Sequence, residues 1–266
     1  MWIFIDSGNR GGLENMQLDE WLARAWFPET HQPVFRLYGW SPYTLSLGFH
    51  QSVNDVDVEA LQREGYELVR RPTGGRAVFH AEEITYSVVL DATRQSVNDV
   101  YERISRVLVS GLKNAGYNVE FAGTRQNFSE HYKKTSSISC FTASSEYEIQ
   151  LEGRKLVGSA QRRYTREDGG VTALQHGSIL TGPQHLHLVD FLNIDDEAKR
   201  RIKDIMRRKS TDLLENKYVH FDREHIISHI KEAAKTDLPH GNYREQSHTY
   251  FQSRMQESGF SREQPQ

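Results

Sequence analysis

The sequence predicts an α+β protein with a mixed, largely antiparallel sheet flanked by helices, and with further helices at its C-terminal end. Segments rich in β-branched and aromatic residues dominate the first part of the chain, and several are joined by turns as hairpins. Segments with helical periodicity dominate the later part. This order argues against a doubly wound parallel sheet, in which strands and helices alternate throughout.

The first part of the chain is predicted to combine strands with short helices. Residues 2–6 are apolar and β-prone, which indicates a first strand. Apolar residues then recur at helical spacing from Leu18 to Trp26, and Pro28 is expected to end this helix. The other elements predicted here are, in order, a strand at 34–40, a strand at 44–48, a helix at 57–64, a strand at 66–70 and a strand at 84–90.

A strongly patterned helix comes next. Ser96 and Asp99 have the spacing of a capping box, an apolar stripe follows them, and Gly116 is placed to end the helix. A hairpin is predicted to turn at Glu152–Gly153. The remaining predictions are a polar loop at 122–139, a strand at 172–180 and helices at 184–193, 195–208 and 222–235.

The domain organisation follows from length and composition. A chain of 266 residues suits a single large domain. We expect a catalytic core over residues 1–183 and a helical extension of the same domain over 184–240. From 241 to 266 the chain is polar and has few aliphatic side chains, so we predict a flexible tail.

Composition excludes several classes of function. The net charge of -3 offers no electrostatic basis for binding nucleic acid or an anionic membrane surface. The single cysteine rules out an intramolecular disulfide, and the sequence has no spacing typical of a metal site. Neither a signal peptide nor a run of about 20 apolar residues is found. We therefore predict a cytoplasmic protein that binds no metal.

A glycine-rich segment, "RRPTGGRAVFH" (70–80), follows one predicted strand and precedes another. Gly74 and Gly75 let the backbone approach a ligand closely and point its amides at that ligand. Arg71 and Arg76 are placed to attract an anion or an acidic partner. The alternative is a tight turn with solvated arginines. The segment lacks the lysine and the Ser/Thr of a phosphate-binding P-loop.

The only cysteine, Cys140, lies in the polar segment "SSISCFTASSEYE". A lone cysteine is usually a small buried hydrophobic residue, but this segment is unlike a core strand. Lys155 sits on the hairpin that returns after it, and a nearby ammonium would lower the pKa of the thiol. The two residues are therefore a candidate activated nucleophile. The alternative for Lys155 is a solvated hairpin residue.

Small residues mark the strand after Lys155. Gly158, Ser159 and Ala160 leave room for an acyl chain or for a close backbone contact, although a bulge or a strand end is the alternative. His176, in "LQHGSIL", is more often a hydrogen-bonded structural histidine than a base. No Ser-His-Asp pattern or G-x-S-x-G elbow can be identified.

Several motifs carry a family resemblance, and they occur in this order: "FIDSG…NMQLDEWL", "YGWSPYTLSLGFHQ", "RRPTGGRAVFH…ITYSV", "SCFTASSEYEI…GRKLVGSAQRR" and "LQHGSIL". Together they resemble the lipoyl/biotin protein ligase and transferase superfamily. More narrowly, they resemble the octanoyl-[acyl carrier protein]:protein N-octanoyltransferases of its lipoate ligase-like branch. The likeness runs from about residue 2 to residue 180 and is weaker through the C-terminal helices.

The resemblance implies a class II biotin/lipoyl ligase-like fold with an acyl tunnel beside the Gly-Gly loop. It implies that Cys140 takes an octanoyl group from octanoyl-acyl carrier protein as a thioester, while Lys155 lowers the pKa of the cysteine. The group then passes to a lysine of a lipoyl-domain protein, typically glycine cleavage H protein. No ATP or other cofactor is expected, because the thioester donor is already activated, and we expect a monomer. The residues predicted to bind substrate are Arg71, Thr73, Gly74, Gly75, Arg76, Ala77, His80, Gly158, Ser159, Ala160, His176 and Gly177.

One position departs from the family pattern. Ala81 follows His80, where relatives often carry an aspartate, and we interpret this as a local variation of the loop. Three other functions stay open at this point. One is an ATP-dependent lipoate-protein ligase that uses Lys155, with Cys140 incidental. Another is an amidotransferase that moves lipoyl or octanoyl groups between lipoyl domains. The third is a non-catalytic lipoyl-binding protein, which the retained Cys140 and Lys155 argue against.

Overall fold

The structure is a computed structural model that describes residues 1–123, 147–238 and 242–261. The helices in these ranges are α1 Gly12–Trp21, α2 Phe27–Thr30, α3 Val58–Arg63, α4 Val97–Asn114, α5 Asp196–Lys209, α6 Arg223–Asp237 and α7 His248–Glu257. The strands are β1 Trp2–Arg10, β2 Val34–Trp40, β3 Thr44–Leu47, β4 Glu67–Arg70, β5 Val78–His80, β6 Glu83–Asp91, β7 Val119–Gly123, β8 Tyr147–Leu151, β9 Arg154–Thr165, β10 Val171–Leu180 and β11 Tyr243–Glu245. A π-helical turn spans Leu22–Trp26, and 3₁₀ turns span Val53–Asp55, Pro183–Phe191 and Leu213–Glu215.

The described strands form two sheets. The larger has the order β11-β1-β2-β6-β10-β9-β8-β7, and the smaller has the order β4-β3-β5. In the larger sheet, β1 runs parallel to both β11 and β2, and the other pairs are antiparallel. The predicted mixed, largely antiparallel sheet with flanking helices is confirmed. β5, β7 and β11 were not predicted. Residues 122 and 123 of the predicted loop at 122–139 belong to β7, and the rest of that loop lies outside the described residues.

The helices α4 and α6 cover one face of the larger sheet. The predicted capping box is present, because Ser96 Oγ accepts from the Asp99 N–H at 3.1 Å and the Asp99 carboxylate accepts from the Ser96 N–H at 2.7 Å. Gly111 of α4 faces α6. A Cβ on it would lie 2.6 Å from the Cα of Ile230, so the close approach of the two helices requires glycine there.

The helix that carries Asp19 continues further than predicted. It runs from α1 through the π-helical turn into α2 and ends at His31, whose φ is 52°. The prediction that Pro28 ends this helix is wrong. The N–H of Phe27 bonds to the carbonyl of Leu22, five residues back, and Pro28 then stands in the first turn of α2. The helix therefore continues past Pro28 as far as Thr30.

The predicted flexible tail is wrong for residues 242–261. β11 pairs with β1, and α7 packs through Phe251, which is fully buried. The ring of Phe251 lies 5.0 Å from that of Trp26 and 6.4 Å from that of Trp21. These two tryptophans form an apolar surface on the first helix, and α7 covers it.

Candidate active site

The Gly-Gly loop, defined here as residues 71–77, connects β4 to β5. Gly75 has a φ of 96°, which strongly favours glycine. The chain at Gly48 lies directly against the loop, since a Cβ on Gly48 would be 1.9 Å from the carbonyl oxygen of Gly75. A Cβ on Gly74 would have no atom of the described residues within 4 Å. The loop therefore rests on Gly48 and leaves the side of Gly74 open.

Arg71 braces this loop from inside. Its side chain is buried, and its guanidinium donates to the carbonyls of Gly74 at 2.9 Å, Arg76 at 2.6 Å and Ser46 at 3.2 Å. A guanidinium committed to these carbonyls does not meet an acidic partner, so the expectation that Arg71 attracts one is wrong. Arg76 is partly exposed, and its role in attracting an acidic partner stays a prediction.

A buried chain of hydrogen bonds fixes Thr73 and His176. Thr73 Oγ1 lies 2.6 Å from His176 Nε2, and His176 Nδ1 lies 3.2 Å from a carboxylate oxygen of Asp19. Burial lowers the pKa of His176 and outweighs the opposing effect of Asp19. The neutral ring donates from Nδ1, because a carboxylate only accepts, and so Nε2 accepts from the Thr73 hydroxyl. His176 is therefore a structural link to the loop, as the sequence favoured.

Asp19 is the centre of this network. Its carboxylate accepts from Arg36 at 2.8 Å, Tyr38 at 2.9 Å and Ser87 at 2.7 Å, in addition to His176. Burial acts to raise the pKa of Asp19, but the hydrogen bond from His176 and the charge of Arg36 outweigh it and lower that pKa. The sequence contained no signal for this role beyond a polar residue on an apolar helix.

His80 is buried in a second network. Its Nδ1 lies 2.8 Å from Glu83 Oε1 and its Nε2 lies 2.8 Å from Ser46 Oγ, while its ring stacks on Trp40 at 4.0 Å. Burial acts to raise the pKa of Glu83, but the charge of His80 and hydrogen bonds from its neighbours outweigh it and lower that pKa. The neighbouring Ala81 is buried in an apolar cluster, which suits a methyl group.

The small residues of β9 lie beside β10. Gly158, Ser159 and Ala160 pair with residues 176–178 and are partly exposed. A Cβ on Gly177 would lie 2.4 Å from the carbonyl oxygen of Gly158, so this strand contact requires glycine. The hydroxyl of Tyr86 donates to Ser159 Oγ at 2.6 Å, and burial raises the pKa of Tyr86 to about 12. Ala77, the last residue of the loop, is fully buried.

Arg162 is a loop contact that the sequence did not single out. Its guanidinium donates to the Pro72 carbonyl at 2.7 Å and lies 4.1 Å from the ring centre of Phe49. Arg162 therefore ties β9 to the Gly-Gly loop. A run of two arginines after "GSAQ" was the only signal in the sequence, and nothing in that run distinguishes a loop clamp from a solvated side chain.

Lys155 is not the solvated hairpin residue of the alternative interpretation. It is 7% exposed, and its Nζ lies 2.6 Å from Oε1 of Glu148, which is 3% exposed. A buried ion pair of this kind keeps both charges compensated in a poorly hydrated setting. Lys155 precedes Gly158 by three positions, about 10 Å along an extended strand. Cys140 lies outside the described residues, so its predicted place beside Lys155 stays a prediction.

His185, next to this hairpin, is predicted to make the fold sensitive to mild acid. Its Nε2 lies 2.8 Å from Oγ of Ser210, whose backbone forms a bridge with Lys155. Burial lowers the pKa of His185 from 6.5 to about 4, despite its hydrogen bond to the Gly182 carbonyl. A histidine with a depressed folded-state pKa stabilises the fold above pH 6.5, and that stability is lost as the pH falls towards 4.

We expect this one residue to remove about 2 kcal/mol from the free energy of unfolding between pH 8 and pH 5. Urea unfolding of the wild type and of His185→Gln at both pH values measures it. Glutamine does not titrate, so the variant should lose that much less stability than the wild type over the interval. Equal losses in the two proteins would contradict the prediction.

Two kinds of feature are absent from the part of the chain that the structure describes. No group of three or more His, Cys, Asp or Glu side chains there is arranged to hold a metal ion. No helix there combines the length and the apolarity needed to cross a membrane.

The arrangement of sheets and helices matches that of known lipoate-protein ligases. A bi-partite lipoate protein ligase from Thermoplasma acidophilum, solved in a study with its E2 lipoyl domain, has a TM-score of 0.75 at 18% identity, over 96% of this chain and 90% of that chain. A lipoate-protein ligase A bound with ATP has a TM-score of 0.71 at 17% identity, over 97% of this chain and 92% of that chain. At such identities the likeness establishes the fold alone.

Sequence comparison identifies the family. The model of the lipoyl protein ligase A/B catalytic domain matches residues 12–235, and this chain belongs to that family. It is 41% identical over 212 residues to octanoyltransferase LipM of Kyrpidia tusciae, covering 78% of this chain and 74% of that protein. It is 39% identical over 246 residues to octanoyltransferase LipM of Anoxybacillus flavithermus, covering 88% of this chain and 83% of that protein. It is 39% identical over 216 residues to octanoyltransferase LipM of Bacillus subtilis, covering 79% and 76%.

Proposed function

We propose that this chain transfers an octanoyl group from octanoyl-acyl carrier protein to a lysine of a lipoyl-domain protein through a thioester on Cys140. The chain is an acyltransferase of protein lipoylation, since relatives that are 36–42% identical to it are octanoyltransferases. The acceptor we propose is glycine cleavage H protein. The observation that carries the proposal is the buried Lys155–Glu148 ion pair, on the same hairpin as the small residues of β9.

In the first half-reaction, the Cys140 thiolate attacks the carbonyl carbon of the donor thioester. A new C–S bond forms to Cys140, the carrier C–S bond breaks, and the carrier thiolate takes up a proton. One thioester replaces another, so the step is nearly isoenergetic. The ammonium of Lys155 favours the attacking thiolate, because a nearby positive charge stabilises the ionised sulfur. Glu148 compensates the lysine charge, so that the ammonium is tolerated in a buried place.

In the second half-reaction, the deprotonated amine of the acceptor lysine attacks the Cys140 thioester. A C–N bond forms, the C–S bond to Cys140 breaks, and the amine proton leaves to solvent while Lys155 stabilises the released thiolate. An amide is much more stable than a thioester, so this step is effectively irreversible. The side of the Gly-Gly loop at Gly74 is open, and we assign stabilisation of the developing oxyanion to backbone amides of this loop.

No ATP takes part in the proposed reaction, because the thioester donor already holds the acyl group in activated form. We propose that the octanoyl chain binds between the Gly-Gly loop and the small residues Gly158, Ser159 and Ala160. Two contacts support this place. Thr73 of the loop is tied to β10 through His176, and Arg162 of β9 is tied to the loop through the Pro72 carbonyl.

Intact mass spectrometry tests the proposal. The protein is mixed with octanoyl-acyl carrier protein without ATP, and we expect an octanoyl adduct on wild type and none on Cys140→Ala. Addition of apo H protein should move the adduct to the H protein. The chain has one cysteine, so an adduct lost in Cys140→Ala is assigned without peptide mapping.

Two outcomes would replace the proposal with a named alternative. Modification of the H protein only when ATP and free octanoate are supplied would mean a ligase, with Cys140 incidental. An adduct formed from octanoylated H protein but not from the carrier protein would mean an amidotransferase between lipoyl domains.

A further inference from the structure

The exposed side of α5 is strongly basic. Residues 199–209 contain seven lysines and arginines and one acidic residue, Asp204, in a chain whose net charge is -3. Met206 is fully buried and holds the other side of α5 against the protein. Positions 200, 201, 204, 207 and 208 are exposed and share one side of the helix. We define the basic face as Arg200, Arg201, Arg207 and Arg208.

The basic face begins next to Lys155. The residue after α5, Ser210, forms a backbone bridge with Lys155, and the N–H of Thr211 donates to the Lys155 carbonyl at 3.0 Å. Arg154 fastens the same junction, because it donates to the Ser210 carbonyl at 3.3 Å and pairs with Glu215 at 2.5 Å. A partner bound along α5 is therefore held beside the strand that carries the proposed catalytic lysine.

The length of the basic face along α5 indicates which kind of acidic partner it fits. From Arg208 to Arg200 the face extends along the helix for about 12 Å away from Lys155. A protein centred on this face lies about 6 Å along α5 from its Lys155 end, which favours a partner whose reactive group is carried on a long arm. A carrier protein holds its acyl group on a long, flexible prosthetic arm. An acceptor lysine side chain is much shorter and must approach the thioester directly.

We propose that the basic face of α5 is the docking surface for the acidic carrier protein that donates the acyl group. This inference rests on the proposed function and adds the place where its donor binds. Opposite charges on the two surfaces speed association and orient the partner, and the effect weakens as salt screens it. The arginines also form bidentate pairs with carboxylates, which fixes the orientation of the carrier.

The test is the double charge reversal Arg201→Glu/Arg208→Glu. The matched control is Arg244→Glu/Arg254→Glu, which makes the same change in net charge at exposed arginines on β11 and α7. β11 forms the opposite edge of the larger sheet, separated from β9 by four strands. Both variants are assayed with octanoyl-acyl carrier protein and with octanoyl-pantetheine, a thioester that lacks the carrier protein.

We expect the α5 variant to raise the KM for octanoyl-acyl carrier protein about tenfold at low salt. The difference should shrink in 0.5 M NaCl, while the rate with octanoyl-pantetheine and the KM for the acceptor stay unchanged. The control should behave as wild type.

Three results would overturn the inference. An equal rise in KM in the control variant would mean a general effect of charge. A rise in the KM for the acceptor alone would mean that the lipoyl domain docks on α5. An unchanged KM for the carrier protein in the α5 variant would mean that the donor binds elsewhere. A wild type that forms no adduct with either thioester would instead overturn the proposed function, and the two failures are thereby distinguished.

Discussion

Replacing Lys155 by methionine is expected to lower kcat/KM for octanoyl transfer by a factor of about 10³. Methionine retains most of the length of the side chain and removes its charge. The thiolate of Cys140 then loses the proposed stabilising ammonium. We expect the pH midpoint of Cys140 alkylation to rise towards about 8.5, the usual value for a free thiol. Because Cys140 is the only cysteine, the rate of iodoacetamide modification between pH 5 and pH 10 reports this midpoint directly.

A control is needed because the substitution leaves Glu148 buried without the ammonium. An uncompensated buried carboxylate destabilises a fold by several kcal/mol. The double variant Lys155→Met/Glu148→Gln removes both charges and should recover stability without recovering activity. Lys155→Arg keeps the charge and should retain a low alkylation midpoint. An alkylation profile that is the same in Lys155→Met and in wild type would refute the proposed effect of Lys155 on Cys140.

The elements that could be predicted are those whose sequence pattern is local. The capping box at Ser96 and Asp99 and the apolar stripe after it are such patterns, and they correspond closely to α4. α7 could not be predicted in this way, because its own residues are largely polar. Phe251 of α7 packs on Trp21 and Trp26, which come more than 200 residues earlier. A local sequence pattern cannot predict a contact between residues so far apart in the chain.

In the candidate site too, only residues that a local pattern distinguishes could be predicted. Gly74, Gly75 and Lys155 could be singled out, because small and charged residues stand out among their neighbours. The sequence did not show that Arg71 faces inwards and Arg76 partly outwards, because two arginines of one loop cannot be told apart until the carbonyls around them are placed. Glu148 was missed as the partner of Lys155, because their contact depends on the register of the hairpin across Glu152–Gly153.

Replacing Asp19 by asparagine is expected to reduce the free energy of unfolding by about 3–5 kcal/mol. Both Asp19 and Arg36 are 0% exposed, so the variant leaves a guanidinium buried without its counter-charge. Asparagine also replaces one carboxylate oxygen by an NH₂ group. With its remaining oxygen on Arg36 and Ser87, that NH₂ faces Tyr38 and His176, which donate to the carboxylate in the wild type. Urea unfolding at pH 7 measures the loss. His176 loses its anchor as well, so the Gly-Gly loop should loosen through Thr73.

The double variant Asp19→Asn/Arg36→Met shows whether the destabilisation comes from the unpaired guanidinium or from altered packing. If the unpaired guanidinium dominates, removal of its charge should recover at least half of the stability. The stability from Asp19 should also depend on pH in one direction. Its pKa is held below 3.8 in the folded state, so the contribution is complete at neutral pH and is lost as the pH falls below about 4. A double variant as unstable as Asp19→Asn would place the loss in packing around α1, because removing the uncompensated charge would then have changed nothing.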